Sequence, residues 1–446
     1  MKILNRFLLV TWIWNLFFWA FALPPFFIPD EAVHWTWVSR FVSNSPQTHP
    51  VSECSELEKT VHAFEFKKVF ADTEGFVPRD GPLPIDQVPL SKCQEIKPPG
   101  AYAFLGLYMP AAFSFYMFED WGRIALFTKL LNALTLSLLL FVLWRKIGTT
   151  QSKHFLPTFW AFALIGNFPI TLQQSVGLSM DFWTLAGSLG IFGVCFFSLF
   201  NRLEFSLFSF SILMAGLSKP VFLPLLGLIL VLNKKDLLRT QKGRLVTWGC
   251  ALSLSAIAIR GLIYFASSHF LGNSGSLMGA GPEKLMNPSV EFILKNPWQA
   301  FVTVATGSWG KIAQLPGTRL GALSWPLSKT HTLLGHLSLI LFLACLNWRN
   351  FKSILSRLIP ATGFLFIFVF LTGLSLYLGH TAPGANSVAG LQARYFIPFW
   401  FGLFLILSSM GFMLNAKKLK MILAVITVCL FTNATITATQ IFLAFR

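Results

Sequence analysis

The chain has 446 residues, of which 54% are hydrophobic and 12% charged, with a mean hydropathy of +0.63. A charged share about half that of soluble domains, together with apolar runs near or above 18 residues that recur along the chain, excludes a soluble globular protein and indicates a polytopic α-helical membrane protein. The net charge of +17 does not point to nucleic acid: 13 of the 18 acidic residues fall between Asp30 and Asp120, while the bases gather in short segments between apolar runs, as the positive-inside rule requires.

The first apolar run covers about 7–27. Lys2 and Arg6 before it, and Ala20-Phe21-Ala22 within it, resemble parts of a cleavable signal peptide, but the run is long enough to span and reads as an uncleaved anchor. Ten further runs follow, at about 124–143, 155–173, 180–200, 204–217, 219–232, 246–266, 331–347, 358–378, 395–415 and 421–443. The expected fold is therefore an all-α bundle of about 11 transmembrane helices forming one domain over 1–446. The runs at 204–217 and 219–232 are short, and read as a hairpin that dips into the membrane and turns at "GLSKP", Gly216 to Pro220. Such a turn is tolerable only where protein or water covers its backbone.

Arg145, Lys146, Lys153, Arg202, "NKKDLLRTQKGR", "NWRNFKSILSR" and "NAKKLK" all fall, on this count, on the side of Lys2 and Arg6. One topology satisfies every basic loop: N-terminus in the cytoplasm and C-terminus outside. Two large pieces then lie outside, 29–123 and 267–329, with a third, shorter one from Gly379 to Arg394. The first ends in the apolar tract "KPPGAYAFLGLYMPAAFSFYMF", which could be a twelfth span but reads rather as an amphipathic or re-entrant element at the interface, because a full crossing would invert every later basic loop. Of six cysteines, only Cys54 and Cys93 fall in external loops. A disulfide between them is chemically allowed on an oxidising face, with two free thiols as the alternative. Asn433-Ala434-Thr435 fits a glycosylation sequon but lies inside the last run.

The first acids, Asp30 and Glu31 in "PPFFIPDEAVHW", surface at the outer mouth of the first run, with His34 one turn further on. Asp30 is either a helix N-cap for the segment that follows or a carboxylate beside a low-dielectric slab, able to serve as a general base. Asp181 in "SVGLSMDFW", Lys219 at the hairpin tip, Lys97 before Pro98-Pro99, and Gln392, Arg394 and Tyr395 in "GLQARYFIP" come to the same level. Each alone reads equally well as a snorkelling anchor; gathered on one side, they read as a site. Arg260 sits alone in mid-run, facing either a buried acid or a cavity. No Walker A loop, HExxH or G-x-S-x-G occurs, and the eight histidines show no ligand spacing, so neither a cofactor nor a metal is expected.

The order of these landmarks resembles the GT-C glycosyltransferases: an acidic motif after the first span, a long outer loop ending in "KPP", a span-start Asp, a hairpin-tip Lys-Pro and a late outer Arg-Tyr. Within that superfamily the chain is most similar to a bacterial multispanning family, through "PDEAVH", "LSKPVFLPLLGL", "NPWQAF" followed by "LGALSWPL", and "GLQARYFIP". The resemblance implies a GT-C-like bundle in a bacterial inner membrane, with interfacial helices in its first outer loop. It further implies transfer of a sugar from a polyprenyl-phosphate donor to a cell-envelope acceptor, with Asp30 as the catalytic acid residue and Glu31 as neighbour or substitute. By the same resemblance Arg394, with Lys97 or Lys219, would hold the lipid phosphate, and Tyr395, Gln392, Asp181, His34 and Tyr102 would complete the donor site. Tyr102 belongs to "KPPGAY", which departs from relatives that carry a large apolar residue after the prolines. A flippase or transporter of a polar lipid would use the same charges as a pathway, although no internal repeat of the transporter kind occurs.

Overall fold

The computed structural model describes residues 2–23, 109–118, 121–145, 155–178, 180–196, 202–232, 288–312, 319–320, 325–326, 329–388 and 390–444. Asp30, Glu31, His34, Lys97, Tyr102, Cys54, Cys93, Arg260 and the run at 246–266 lie outside the described residues. The helices, in chain order, are α1 Lys2–Ala22, α2 Met109–Met117, α3 Trp121–Arg145, α4 Phe155–Gly166, α5 Pro169–Val176, α6 Met180–Phe196 and α7 Arg202–Ser218. They continue with α8 Gly227–Leu232, α9 Pro288–Lys295, α10 Pro297–Ile312, α11 Lys329–Cys345, α12 Phe351–His380, α13 Ile397–Leu407 and α14 Ala416–Ala444. The only other regular pairing among the described residues is small: Arg319–Leu320 lies antiparallel to Trp325–Pro326, and Leu346 makes an isolated bridge to Phe412.

Among the described residues five helices are long and apolar enough to cross a membrane: Ile3–Ala22, Arg123–Arg145, Trp348–Leu378, Ala393–Met410 and Lys417–Leu443. A sixth crossing arises if Pro169–Val176 and Asp181–Cys195, bent by 106° at their junction, are one broken span. The chain is thus a helical membrane protein with five or six candidate spans among the described residues, a count that does not reach the run at 246–266 and leaves the expected total of about eleven neither confirmed nor excluded. Within the described residues several apolar runs are interrupted. The run at 155–173 breaks at Asn167-Phe168, where Pro169 starts a new helix. After α7 the backbone leaves the helix at Lys219, and Pro220–Leu226 form a 3₁₀ turn containing Pro224. Leu156–Gly166, Leu203–Gly216 and Thr330–Cys345 remain as shorter apolar helices.

Polar side chains join the helices where the hydrophobic effect gives little guidance, since lipid is as apolar as leucine. Asn15 Nδ2 donates to Asn167 Oδ1 at 2.7 Å, tying α1 to the α4–α5 break. Trp160 Nε1 donates to Asn5 Oδ1 at 3.0 Å, and Trp19 Nε1 to the Ala434 carbonyl at 3.1 Å. Asn132 Nδ2 reaches the carbonyls of Val176 and Gly177 at 3.2 and 3.0 Å, satisfying backbone acceptors that the end of α5 leaves open. On α6, Gly187 and Gly190 lie three residues apart and face α7, where any Cβ would overlap Ala215 and Ser211. These small residues let α6 and α7 approach closely.

The contacts fix the direction of several helices. α1 runs parallel to α4, as the Asn5–Trp160 and Asn15–Asn167 bonds require, and Trp19 sets the end of α1 beside Ala434; α14 runs antiparallel to α11, with Asn433 at His331 and Met413 at Cys345. α3 enters beside the end of α1, since Lys129 Nζ donates to the Leu23 carbonyl at 2.7 Å. At the other end Asn347 N donates to the Gly411 carbonyl and Asn350 Nδ2 to that of Met410, both at 2.9 Å. The start of α12, the end of α13 and the end of α11 therefore meet there. The exposed Arg6, Arg145, Arg349, Lys352, Arg357, Lys417, Lys418 and Lys420 fall at this second end. The first end holds the start of α6, the tip after α7 and the start of α13.

Candidate functional site

Three elements bring charges together at that first end. Asp181 stands in the first turn of α6 and is 4% exposed. Lys219 follows the last residue of α7, at the point where Pro220 prevents the helix from continuing. Arg394 sits in the 3₁₀ turn Ala393–Phe396 that leads into α13, and is 4% exposed. Lys219 Nζ is bonded to Asp181 Oδ1, and Arg394 Nε lies 3.4 Å from Asp181 Oδ2. One carboxylate thus faces two cations.

Tyr395 joins the two cations through its ring. Lys219 Nζ lies 4.3 Å and Arg394 Cζ 4.9 Å from the ring centroid, both within cation–π range. Arg394 Nη2 also donates to the Tyr395 hydroxyl at 2.9 Å. Placing Asp181 at a helix N-terminus adds the favourable end of the α6 dipole to the same carboxylate. Gln392, the residue before this turn, is half-buried, and its Oε1 has no hydrogen-bond partner among the described residues.

The neighbouring helix α5 packs against both α6 and the Ala393–Phe396 turn. It carries Gln173 and Gln174, each 1% exposed. Neither amide atom of Gln174 has a hydrogen-bond partner among the described residues, and neither does Gln173 Nε2. An unsatisfied buried polar group costs about 1–3 kcal/mol, so these amides are not explained by packing. Lys129 is a further buried cation, 2% exposed, held at the end of α1 by the Leu23 carbonyl. A cation there complements the negative end of the α1 dipole.

Of the residues singled out in the sequence, Asp181, Lys219, Arg394 and Tyr395 come into mutual contact, with Gln392 adjoining. Asp30, Glu31, His34, Lys97 and Tyr102 lie outside the described residues. The sequence reading missed Lys129, counted within an apolar run, and the glutamine pair, because the third run was taken to stop at residue 173. The rule that polar residues at membrane depth mark function would have found all three. Asn433 is buried, 1% exposed, with Nδ2 directed at the His331 carbonyl, as its place in the last run implies.

Fold and site together define a polytopic helical membrane protein with a buried ion cluster at one end of its bundle. Residues 14–403 match the family described as predicted membrane protein (DUF2142), and the chain belongs to that family. Comparison with curated proteins and with solved structures gives no match.

Proposed function

We propose that the chain is a GT-C-type glycosyltransferase of a bacterial inner membrane, oriented with its basic end in the cytoplasm and its ion cluster at the outer face. It takes a sugar from a polyprenyl-phosphate donor and passes it, with inversion, to an acceptor hydroxyl of the cell envelope. The observation that carries this reading is the Asp181–Lys219–Arg394–Tyr395 cluster, in which two cations gather on one carboxylate and one ring, with Asp181 and Arg394 buried, at the end of the bundle opposite the basic loops. A phosphodiester donor carries one negative charge, which Lys219 and Arg394 are of the right sign to bind.

In this reading the acceptor O–H gives its proton to the Asp30 carboxylate while its oxygen attacks the anomeric carbon. The bond from that carbon to the phosphate oxygen breaks, and the lipid leaves as a phosphate monoester with added negative charge. Lys219 and Arg394 stabilise that charge as it develops, in a site where low dielectric strengthens the interaction. Asp181 holds both cations in place when no lipid is bound. Glu31 assists or replaces Asp30, and Lys97, His34, Tyr102 and Gln392 complete the donor site.

The deciding measurement is transfer rate against polyprenyl-phosphate-sugar concentration. A guanidinium fork cannot be copied by an ammonium, and each charge-assisted bond is worth about 1.5–3 kcal/mol. Arg394→Lys should therefore weaken donor use by roughly tenfold to over a hundredfold, with residual turnover, whereas Asp30→Asn should leave none. Wild-type donor dependence in both Arg394→Lys and Arg394→Ala would remove Arg394 from phosphate binding. A second reading, a polar-lipid flippase, draws on the 106° break between α5 and α6, because broken helices flank binding sites in many transporters. Lipid translocation in proteoliposomes without any sugar transfer would favour it.

A further inference from the structure

α10 carries its two tryptophans on one side and leaves them open: Trp298 is 74% exposed and Trp309 69%. At 100° per residue, these two and the exposed Val302 stand within about 40° of one another. Ala300, Thr303 and Val304, on the other side, are buried. The buried side crosses α12 and α13 without following either. Phe301 meets Phe370 with ring centroids 5.4 Å apart, and Val304 and Ser308 both pack on Gly373. Trp400 Nε1 of α13 donates to the Ile312 carbonyl at 3.1 Å. Gly402 packs on Leu365, so Trp400 stands level with the segment 365–370 of α12. From residue 301 to residue 312, about 16 Å of helix, the contacts make no net advance along α12. α10 therefore lies across the bundle, in the plane of a membrane that α12 spans.

The depth of that crossing follows from α12. Its last base before the apolar stretch is Arg357, and about 20 further residues span a hydrocarbon core, which puts the far boundary near Tyr377. Phe370 and Gly373 then lie about 6–10 Å beneath that boundary at a helical rise per residue. Amphipathic helices lying in a membrane plane insert to a similar depth, about 5–10 Å. Rings also join the two surfaces. Phe366, 50% exposed on α12, stacks on Phe370 at 6.2 Å; Phe370 meets Phe301; and Phe301 stacks on Trp298 at 5.6 Å. The open face of α10 is thus continuous with the exposed apolar face of a candidate span. We infer that α10 is an interfacial helix in the leaflet on the side of the ion cluster, with its Trp298–Val302–Trp309 face taken by the glycerol and upper acyl region of the lipids. Tryptophan suits that layer because its ring is apolar while its N–H still needs a polar partner. α10 has no acid, and its single base, Lys311, falls on the other side of the helix, so lipid is met by rings and not by headgroup charge. The helix also packs against the Ala393–Phe396 turn, and its anchoring sets the depth of the element that carries Arg394, whatever ligand that turn binds.

The test uses the full chain, with native thiols replaced, in phosphatidylcholine nanodiscs. A nitroxide is attached in turn to Trp298→Cys, Trp309→Cys and, as a control in water, Ser387→Cys, which is exposed beyond the end of α12. Its collisions with oxygen, which concentrates in lipid, are compared with those of a water-soluble nickel chelate. Labels at 298 and 309 should favour oxygen and lie about 5–10 Å below the headgroup level, at depths that agree within about one helical turn. The label at 387 should favour nickel. Nickel preference at 298 and 309 overturns the inference, since the face would then be in water. Depths that differ by most of the length of α10 overturn it as well, because the helix would be inclined and not in the plane. Dipolar broadening between labels, or shielding from both relaxants, would mean that a second copy or another protein covers the face instead of lipid. A readout without labels uses Trp298→Phe/Trp309→Phe in the otherwise native chain. Quenching of tryptophan fluorescence by lipids brominated high in their acyl chains should fall in this variant, and undiminished quenching overturns the inference.

Discussion

Asp181 holds Lys219 and Arg394 from a single carboxylate, and both cations lie against the ring of Tyr395. Removing one partner of a buried ion pair costs about 3–5 kcal/mol, because the remaining charge is left uncompensated. Lys219 keeps 22% of its side chain exposed, so its share is screened and the lower part of that range applies. Asp181→Asn is therefore expected to destabilise the ligand-free protein by about 3 kcal/mol, read as a fall in unfolding midpoint in nanodiscs. The same substitution in a Lys219→Met background should cost less, since one of the two stranded cations is gone. Additive effects in that double-mutant cycle would mean that the pair does not interact in solution. Lys219 and Arg394 were legible in the sequence because a charge next to a proline or an aromatic at the end of an apolar run has no packing explanation. Lys129, Gln173 and Gln174 were missed because averaged hydropathy barely registers one or two polar residues in or beside an apolar run, although their polarity at membrane depth was itself a signal. Only the fold reveals that Lys129 sits at the Leu23 carbonyl and that the two amides have no partners.

Helix existence followed from apolar length, and the ends of α1, α3, α7 and α14 fall within a few residues of the runs that announced them. The interruptions were harder to see. Phe168 and Gly177 flank α5, an eight-residue helix whose end needs Asn132 to satisfy its carbonyls, and hydropathy averaging conceals both breaks. The positioning of Asp181 against Lys219 depends on how closely α6 approaches α7, and glycine sets that distance. A Cβ on Gly190 would also meet the Phe208 carbonyl oxygen at 3.2 Å and Ile212 Cγ1 at 3.1 Å. Backbone cannot move aside as a flexible side chain does, so Gly190→Ala must shift α6 against α7. Overpacking of this kind costs on the order of 1–3 kcal/mol, and the shift should weaken donor binding as well as stability. Gly310 in α10 gives the control. Nothing described lies within 4 Å of a Cβ placed there, and alanine is the better helix former by about 1 kcal/mol. Gly310→Ala should hold or raise the unfolding midpoint, while Gly190→Ala lowers it. Equal tolerance of both would show that the α6–α7 contact is looser than its glycines imply.

At the scale of the molecule, charge separates the two ends of the bundle. Eight exposed bases, from Arg6 to Lys420, stand at one end, and the ion cluster stands at the other, with Asp181 and Arg394 buried. Both facts follow from helix directions that the inter-helix hydrogen bonds require, so they do not depend on the number of spans. The proposed orientation rests on this asymmetry: short loops rich in Lys and Arg tend to stay in the cytoplasm, which would put the cluster at the outer face. A donor whose sugar is displayed outside the bilayer could be used only in that orientation, so the topology tests the function. Lys418, in the first turn of α14, and Ser387, beyond the end of α12, are both exposed and mark opposite ends. Cysteine at Ser387 should react with an impermeant thiol reagent in intact cells, while cysteine at Lys418 should react only after permeabilisation. Native Cys195 and Cys345 are buried and contribute little background; the remaining native thiols are replaced beforehand. The reverse labelling pattern would put the cluster in the cytoplasm, where a lipid-linked donor bearing its sugar on the outer leaflet could not reach Arg394. The glycosyltransferase reading would then fail even if every contact around Asp181 were correct.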